Sequence, residues 1–234
     1  KQLLRFHSSR KDINAFVDAD IERIQWVNTH LTNVPEKDTH YEAALQWLTL
    51  STNFCDRTSQ VYFLLADRQN NKGNLYQPFG DTTTRYNKVK ALEIIDQALP
   101  KFTIENEGTA NLKNLRSQIV QKNITTETET VNIINQPILC LVNYKNVDTL
   151  YTRIIKVDAK ANSRYSNFDF DKLTLLPFFK ASTIALPPTN DYQNHSTDIV
   201  LSAMPAGKYL LLTSTGKGFI DSVDRLGVQN IYVS

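Results

Sequence analysis

The spacing of apolar residues changes near Asn123. Before this point apolar side chains recur every three or four residues, which predicts amphipathic helices. After it they alternate with polar residues or form short runs between Pro, Asn and Gly, which predicts β-strands. Helices in one half and strands in the other are typical of two folding units rather than of an alternating α/β enzyme. We therefore predict an α+β protein, with an α-helical domain over 1–123 and a β-sandwich domain over 124–234.

Five helices are predicted in the first half. Asp12 is suited to cap the first of them, whose apolar stripe consists of Ile13, Phe16, Val17, Ile21, Ile24, Val27 and Leu31. Pro35 ends this helix and Pro100 ends the fourth, which starts after Thr84 with Tyr86 facing inward. The other three are predicted over about 38–54, 59–71 and 106–122.

Two helical segments have a tetratricopeptide-like arrangement of small and apolar residues, over 41–45 and 90–99. The half nevertheless lacks a clean period of about 34 residues. Two interpretations therefore stay open, an irregular antiparallel helical bundle and a true repeat array with a peptide-binding groove.

Seven or so strands are predicted in the second half. The turn residues 146–148 predict a hairpin between strands at 138–144 and 150–157, and the charges over 125–133 suit an edge strand. The others are predicted over about 180–186, 197–203, 208–214 and 227–233. This spacing resembles an immunoglobulin-like sandwich, but the Cys–Trp–Cys pin is missing because Trp26 and Trp47 both lie in the helical half.

Composition narrows the classes of partner. The chain has 234 residues, of which 21% are charged, and a net charge of +2. It has no run of Lys and Arg to neutralise phosphates, so we expect no nucleic-acid partner. Its apolar runs are too short for a membrane span. The chain begins at Lys1 without a signal-like segment, so we expect a processed or truncated form.

No catalytic, cofactor-binding or metal-binding residues are predicted. Asp191 and His195 suggest a dyad or a metal pair, but zinc needs three or four ligands, and we interpret His195 as a solvated loop residue. Gly216–Lys217–Gly218 fails the phosphate-loop spacing because Leu211 stands where Gly is required, so a hairpin tip is predicted. We expect no hydrolase activity and no effect of His195→Ala on function.

Other conspicuous residues also have ordinary structural explanations. Asp18, Asp20 and Glu22 are interpreted as a solvated helix face. The sequons at Asn123 and Asn194 are interpreted as incidental. Cys55 and Cys140, one in each half, are expected to be buried thiols rather than a disulfide. Phe178 and Phe179 are predicted to plug the sandwich core, with an exposed contact for a neighbouring domain as the alternative.

Three stretches of the chain resemble one protein family. The stretch PILCLVNYKNVDTLYTRIIKV over 137–157 resembles the first macroglobulin-like domain of bacterial α2-macroglobulin proteins, in particular the Bacteroidetes forms. The stretch over 186–214 resembles the closing hairpin of that domain, where Pro-x-Gly-x-Tyr precedes an apolar strand. The helical segments LLADRQNNKG and KALEIIDQALPKF resemble the region that precedes it.

This resemblance implies a non-enzymatic scaffold and interaction region of a long extracytoplasmic protein, in the periplasm or at the cell surface. Some members trap proteases through a bait region and a Cys-x-Glu-Gln thioester, but neither Cys55 nor Cys140 starts that motif. The implied partners are downstream domains of the parent protein, proteases or envelope proteins. The alternative is a free-standing surface or periplasmic module with a peptide-binding helical domain and an immunoglobulin-like stalk or glycan-binding domain. An enzyme with an unrecognised site is a third hypothesis.

Overall fold

The computed structural model describes residues 2–32, 35–51, 55–157, 170–220 and 223–234. The chain divides into two compact units, Lys1–Val120 and Gln121–Ser234. The first unit is helical and the second consists mainly of strands, so the protein belongs to the α+β class. The first strand begins at Asn123, where the sequence pattern changes.

The helical unit contains six helices within the described residues. They are α1 (Gln2–Arg10), α2 (Ile13–His30), α3 (Lys37–Ser51), α4 (Thr58–Gly73), α5 (Asn87–Ala98) and α6 (Glu107–Val120), with a 3₁₀ turn (Leu99–Lys101) after α5. Helix α1 was not predicted, and the reason is visible in its sequence: it buries none of its residues and therefore has no core-facing stripe.

Side-chain caps fix the beginnings of two helices. The Asp12 carboxylate accepts a hydrogen bond from the Ala15 amide at 3.1 Å, which confirms the predicted cap of α2. At α6, the Asn106 side chain accepts from the Thr109 amide at 3.0 Å, and the Thr109 hydroxyl accepts from the Asn106 amide at 2.8 Å. This reciprocal pair is a capping box that sequence inspection missed, because Asn and Thr replace the usual Ser and Glu.

One apolar cluster of the helical unit is formed by residues of α2, α3 and α4: Val17, Ile21, Ile24, Leu45, Leu48, Val61 and Leu65. Apolar residues of α5 and α6 are buried as well, among them Ile95 and Leu112. Two predicted members are wrong, since Ile13 and Tyr86 are 37% and 53% exposed. Ile13 is the first residue of α2, and Tyr86 precedes the first residue of α5. Residues at a helix end extend past the neighbouring helices, so the periodic pattern overestimates their burial.

The second unit contains eight described strands and one short helix. They are β1 (Asn123–Thr128), β2 (Val131–Asn132), β3 (Ile138–Lys145), β4 (Thr149–Val157), β5 (Lys180–Ala185), β6 (His195–Leu201), β7 (Gly207–Ser214) and β8 (Leu226–Val233), with α7 (Phe170–Thr174) between β4 and β5. Helix α7 was not predicted because its five residues are too few to show a helical period.

These strands form two sheets that share one apolar core. The three-stranded sheet has the order β1-β3-β6, and the five-stranded sheet has the order β2-β8-β7-β4-β5. All pairs are antiparallel except β2 with β8. One buried cluster joins residues of both sheets, among them Cys140, Val142 and Ile199 with Leu150, Leu211 and Ile231. This arrangement is β-sandwich-like, as predicted.

The predicted hairpin between β3 and β4 is wrong. Strand β3 pairs with β1 and β6, whereas β4 pairs with β5 and β7, so residues 146–148 cross from one sheet to the other. Val147, only 4% exposed, is part of the shared core at this crossing. The closing hairpin expected over 186–214 is likewise divided between the sheets, and the true hairpin is β7–β8. A turn signal cannot distinguish a hairpin from an arch between two sheets.

The five-stranded sheet is covered on both faces. A second apolar cluster lies on the side away from the three-stranded sheet and contains Ile155, Val157, Leu173, Leu210, Leu212 and Phe219. Helix α7 contributes Leu173 to it. Strand β7 is consequently buried along six consecutive residues, which explains its unbroken Tyr-Leu-Leu-Leu run.

Candidate functional site

The three-stranded sheet has a second face, turned away from the shared core, which we call the outer face. Burial alternates strictly along β3, so that the even-numbered residues from Ile138 to Tyr144 are buried. The cross-strand register then places ten residues on the outer face: Asn123, Thr125, Glu127, Leu139, Leu141, Asn143, Lys145, Ser196, Asp198 and Val200. These residues are the candidate functional site.

The centre of the outer face is apolar and open. Leu139 and Val200 are paired across β3 and β6 and are 62% and 65% exposed. Leu141, also exposed, lies between Glu127 on β1 and Asp198 on β6. A water-facing face of an antiparallel sheet normally carries polar residues. Adjacent exposed aliphatic side chains at this place are therefore typical of an interaction surface.

Acidic residues border this apolar centre. A groove of about 480 Å³ beside the outer face is lined by Glu127, Glu129 and Asp198 together with Gln136, Leu139, Leu141 and the 70%-exposed Ile133. Within the described ranges no Lys or Arg forms an ion pair with these three carboxylates. The part of the face around Leu139 and Leu141 thus combines exposed apolar area with negative charge, a combination that suits a partner bearing apolar and basic side chains.

Asp191 and His195, which the sequence suggests as a dyad or a metal pair, are in contact with each other. His195 Nε2 lies 2.8 Å from Asp191 Oδ1, and Asp191 is fully buried. The same carboxylate oxygen accepts a hydrogen bond from the Gln193 amide at 3.1 Å. The interpretation of His195 as a solvated loop residue is therefore wrong, because the buried carboxylate needs a polar partner. This pair ties the segment before β6 to the start of that strand.

We expect His195→Ala to lower the free energy of unfolding of the β unit by about 1–2 kcal/mol, since it deprives a buried carboxylate of a hydrogen-bond partner. Urea denaturation measures this loss. Asn194→Ala is the matched control, because Asn194 is the exposed neighbour of His195 and should change stability by less than about 0.5 kcal/mol. Equal stability of His195→Ala and the wild type would contradict a structural contribution of the pair.

The acidic residues of α2 are not one solvated face. Asp20 is buried and its carboxylate accepts a hydrogen bond from the Arg23 guanidinium at 2.5 Å. Asp18 pairs with Arg57, which also reaches Glu107 of α6 at 3.3 Å. These carboxylates neutralise Arg side chains, so Asp18 and Asp20 depart from the solvated-face prediction, while Glu22 is exposed as expected.

The remaining sequence candidates lie at separate places. Gly216–Lys217–Gly218 occupies the connection of the β7–β8 hairpin, as predicted. Asn123 and Asn194 are exposed, at the start of β1 and just before β6. Phe178 and Phe179 are 52% and 49% exposed, so the prediction that they plug the core is wrong. They follow α7, and the Phe178 ring lies beside Arg153, whereas the Phe179 ring lies 5.8 Å from that of Tyr209, a member of the shared core.

The two cysteines are free and differ in environment. Cys55 is half-buried in the helical unit, whereas Cys140 is fully buried in the sandwich core. Burial raises the pKa of the Cys140 thiol to about 11. At pH 8 only about one thousandth of this thiol would be the reactive thiolate.

We expect a thiol reagent at pH 8 to modify Cys55 in the native protein while Cys140 stays unreacted over hours, because Cys140 is both buried and protonated. Mass spectrometry after iodoacetamide treatment identifies the labelled residue. In denaturant both thiols should react, and Cys55→Ser should abolish native labelling. Rapid native labelling of Cys140 would contradict its placement between the sheets.

The described residues contain no group of three or more His, Cys, Asp or Glu side chains placed to hold a metal ion. None of the described helices is both long and apolar enough to cross a membrane.

Comparisons with known proteins give only distant likenesses. No protein-family model and no curated protein matches the sequence. Among solved structures, the CARDB domain of a Pyrococcus furiosus protein is similar over 48% of this chain and 92% of its own, at 12% identity and a TM-score of 0.29. A β-glucosidase from Listeria innocua is similar over 49% of this chain and 16% of its own, at 10% identity and a TM-score of 0.30. The soluble domain of PmoD from a Methylocystis species is similar over 48% of this chain and 90% of its own, at 12% identity and a TM-score of 0.28.

Proposed function

We propose that this chain is a non-enzymatic interaction and scaffold region of an extracytoplasmic protein of the α2-macroglobulin type, and that a partner protein docks on the outer face. The observation that carries this proposal is the apolar centre formed by Leu139, Leu141 and Val200, three exposed aliphatic side chains on a sheet face that would otherwise be polar. Burying such a face stabilises a complex through the hydrophobic effect.

The charges specify the partner's chemistry. Glu127, Glu129 and Asp198 lie around the apolar centre, so the occupant is a folded protein surface with apolar side chains surrounded by Lys or Arg. The resemblance of 137–157 to a macroglobulin-like domain favours a downstream domain of the same parent protein as this occupant. A protease, an envelope protein and a second copy of the chain are the other outcomes that the test separates.

Site-specific photo-crosslinking in the source cell tests the proposal. A benzophenone side chain is placed at position 139 and, as a control, at the exposed Lys90 of α5. We expect a discrete product from position 139 alone, containing a protein or domain with a basic, partly apolar surface. Equal products from both positions, or a product consisting of two copies of this chain, would contradict the proposal.

One observation supports the alternative, a free-standing module with a peptide-binding helical domain: large apolar side chains are also exposed on the helical unit. Trp26, Trp47 and Leu50 are 62%, 55% and 85% exposed on α2 and α3. Both tryptophans of the chain lie in the helical unit. Binding of the crosslinked partner to this unit should therefore shift the tryptophan emission, whereas docking on the outer face should leave it unchanged.

A further inference from the structure

A second groove, of about 280 Å³, lies near the edge strand β5 of the five-stranded sheet, on the side that faces away from the three-stranded sheet. Tyr151 and Arg153 of β4 line it, together with Thr183, which pairs with Tyr151 across the strands. The remaining walls come from the segments around β5 and the β7–β8 connection, through Phe178, Lys217 and Phe219. The groove therefore combines aromatic rings, hydroxyl groups and two positive charges.

Arg153 is held in place by aromatic rings rather than by an acid. Its guanidinium carbon lies 4.2 Å from the centroid of the Phe219 ring and 5.7 Å from that of Phe178, distances at which cation–π attraction operates. Its Nη1 donates a hydrogen bond to the Thr174 carbonyl at 3.3 Å. Among the described residues no carboxylate pairs with Arg153 or Lys217. The guanidinium is thus oriented while most of its N–H donors stay available to a ligand.

Phe219 has a strained backbone that supports this arrangement. Its φ is +55°, a left-handed conformation that is unfavourable for a residue with a bulky side chain. The ring is 7% exposed and packs in the second apolar cluster with Leu173 and Leu212. This packing holds the strained residue with its ring against the Arg153 guanidinium. Such strain is frequent where a side chain must be presented to a ligand.

We propose that this groove binds a carboxylate-bearing sugar, such as a uronic acid residue of an acidic glycan. A planar guanidinium matches a carboxylate through two parallel hydrogen bonds, and Lys217 adds a second positive charge. The half-exposed Phe178 ring offers a surface on which a sugar ring packs. The hydroxyls of Tyr151 and Thr183 pair with sugar hydroxyls, and the volume suits one ring rather than a larger ligand.

Titration of the full chain with D-glucuronate, followed by NMR or calorimetry, tests this site. D-glucose lacks the carboxylate, and inorganic phosphate and N-acetylaspartate lack the sugar ring. We expect glucuronate to bind at least about tenfold more tightly than each of these three compounds. Equal binding of phosphate would indicate a general anion site, equal binding of N-acetylaspartate a peptide site, and no binding of glucuronate an empty surface groove. Each of these results overturns the proposal.

Variants locate the binding on the proposed residues. Arg153→Gln should weaken glucuronate binding about tenfold or more, and Lys217→Gln and Phe178→Ala about threefold or more. Lys156→Gln is the matched control, because Lys156 is exposed on β4 but does not line the groove, and it should leave the affinity unchanged. If Arg153→Gln loses its folded circular dichroism spectrum, the affinities of Lys217→Gln and Phe178→Ala test the site instead, because both side chains are exposed. Unchanged affinity in both would overturn the assignment.

Discussion

Replacing Gly108 with Val should unfold the helical unit or lower its free energy of unfolding by about 3 kcal/mol or more. Gly108 lies in the first turn of α6, where this helix touches α4 without an intervening side chain. A Cβ at this position would lie 2.2 Å from Ser59 Oγ, 2.4 Å from the Gln60 amide nitrogen and 2.6 Å from the Ser59 carbonyl carbon. Two of these atoms are backbone, so a rotamer change cannot relieve the overlap.

Intrinsic helix propensity works in the opposite direction, because Val is more favourable than Gly within a helix. A measured loss therefore reports the close approach of the two helices. Tryptophan fluorescence during urea unfolding follows this unit, since Trp26 and Trp47 both belong to it. Ser117→Val, at an exposed position of the same helix, is the control and should change stability by less than about 0.5 kcal/mol. Wild-type stability of Gly108→Val would refute this packing of α4 against α6.

Replacing Gly207 with Val should destabilise the β unit by about 2 kcal/mol and leave the helical unit nearly unchanged. Gly207 begins β7 with a φ of +157°, a positive value that residues with a Cβ rarely adopt. A Cβ would also lie 3.3 Å from the Tyr209 ring and 3.4 Å from Lys156 Cε. The Tyr209 ring is fixed, because its hydroxyl donates to the Pro205 carbonyl at 2.9 Å.

Circular dichroism combined with tryptophan fluorescence separates the two units in the Gly207 experiment. We expect the strand signal to be lost at lower denaturant while the tryptophan transition stays in place. Ala206→Val is the matched control, since Ala206 is the exposed neighbour of Gly207 and its φ is not positive. An unshifted β transition in Gly207→Val would show that Val is accommodated there and that the turn is ordinary.

The helices and strands could be predicted from the sequence better than the pairing of the strands could. The stripe of α2 and the existence of strand β3 each follow from local residue patterns, which the sequence displays directly. The separation of β3 and β4 into different sheets depends on tertiary packing around Val147, which a local turn signal does not encode.

The candidate site was missed for a related reason. Leu139, Leu141 and Val200 are apolar, and sequence reasoning assigns apolar residues to the core. The apolar residues at both odd and even positions of β3 were the signal, because only one of its two faces lies in the core and the other is left for a partner to cover. The contact of Asp191 with His195 depends on full burial of the carboxylate, and no residue spacing reveals that.

The affinity of the crosslinked partner for wild-type chain and for Leu139→Asp tests the central claim most directly. Leu139→Asp places a charge in the apolar centre of the outer face without altering the core, because Leu139 is 62% exposed. We predict at least a tenfold loss of affinity, about 1.4 kcal/mol, with unfolding midpoints unchanged and with no loss in the Lys90→Asp control. Equal affinity of Leu139→Asp and the wild type would contradict docking on the outer face.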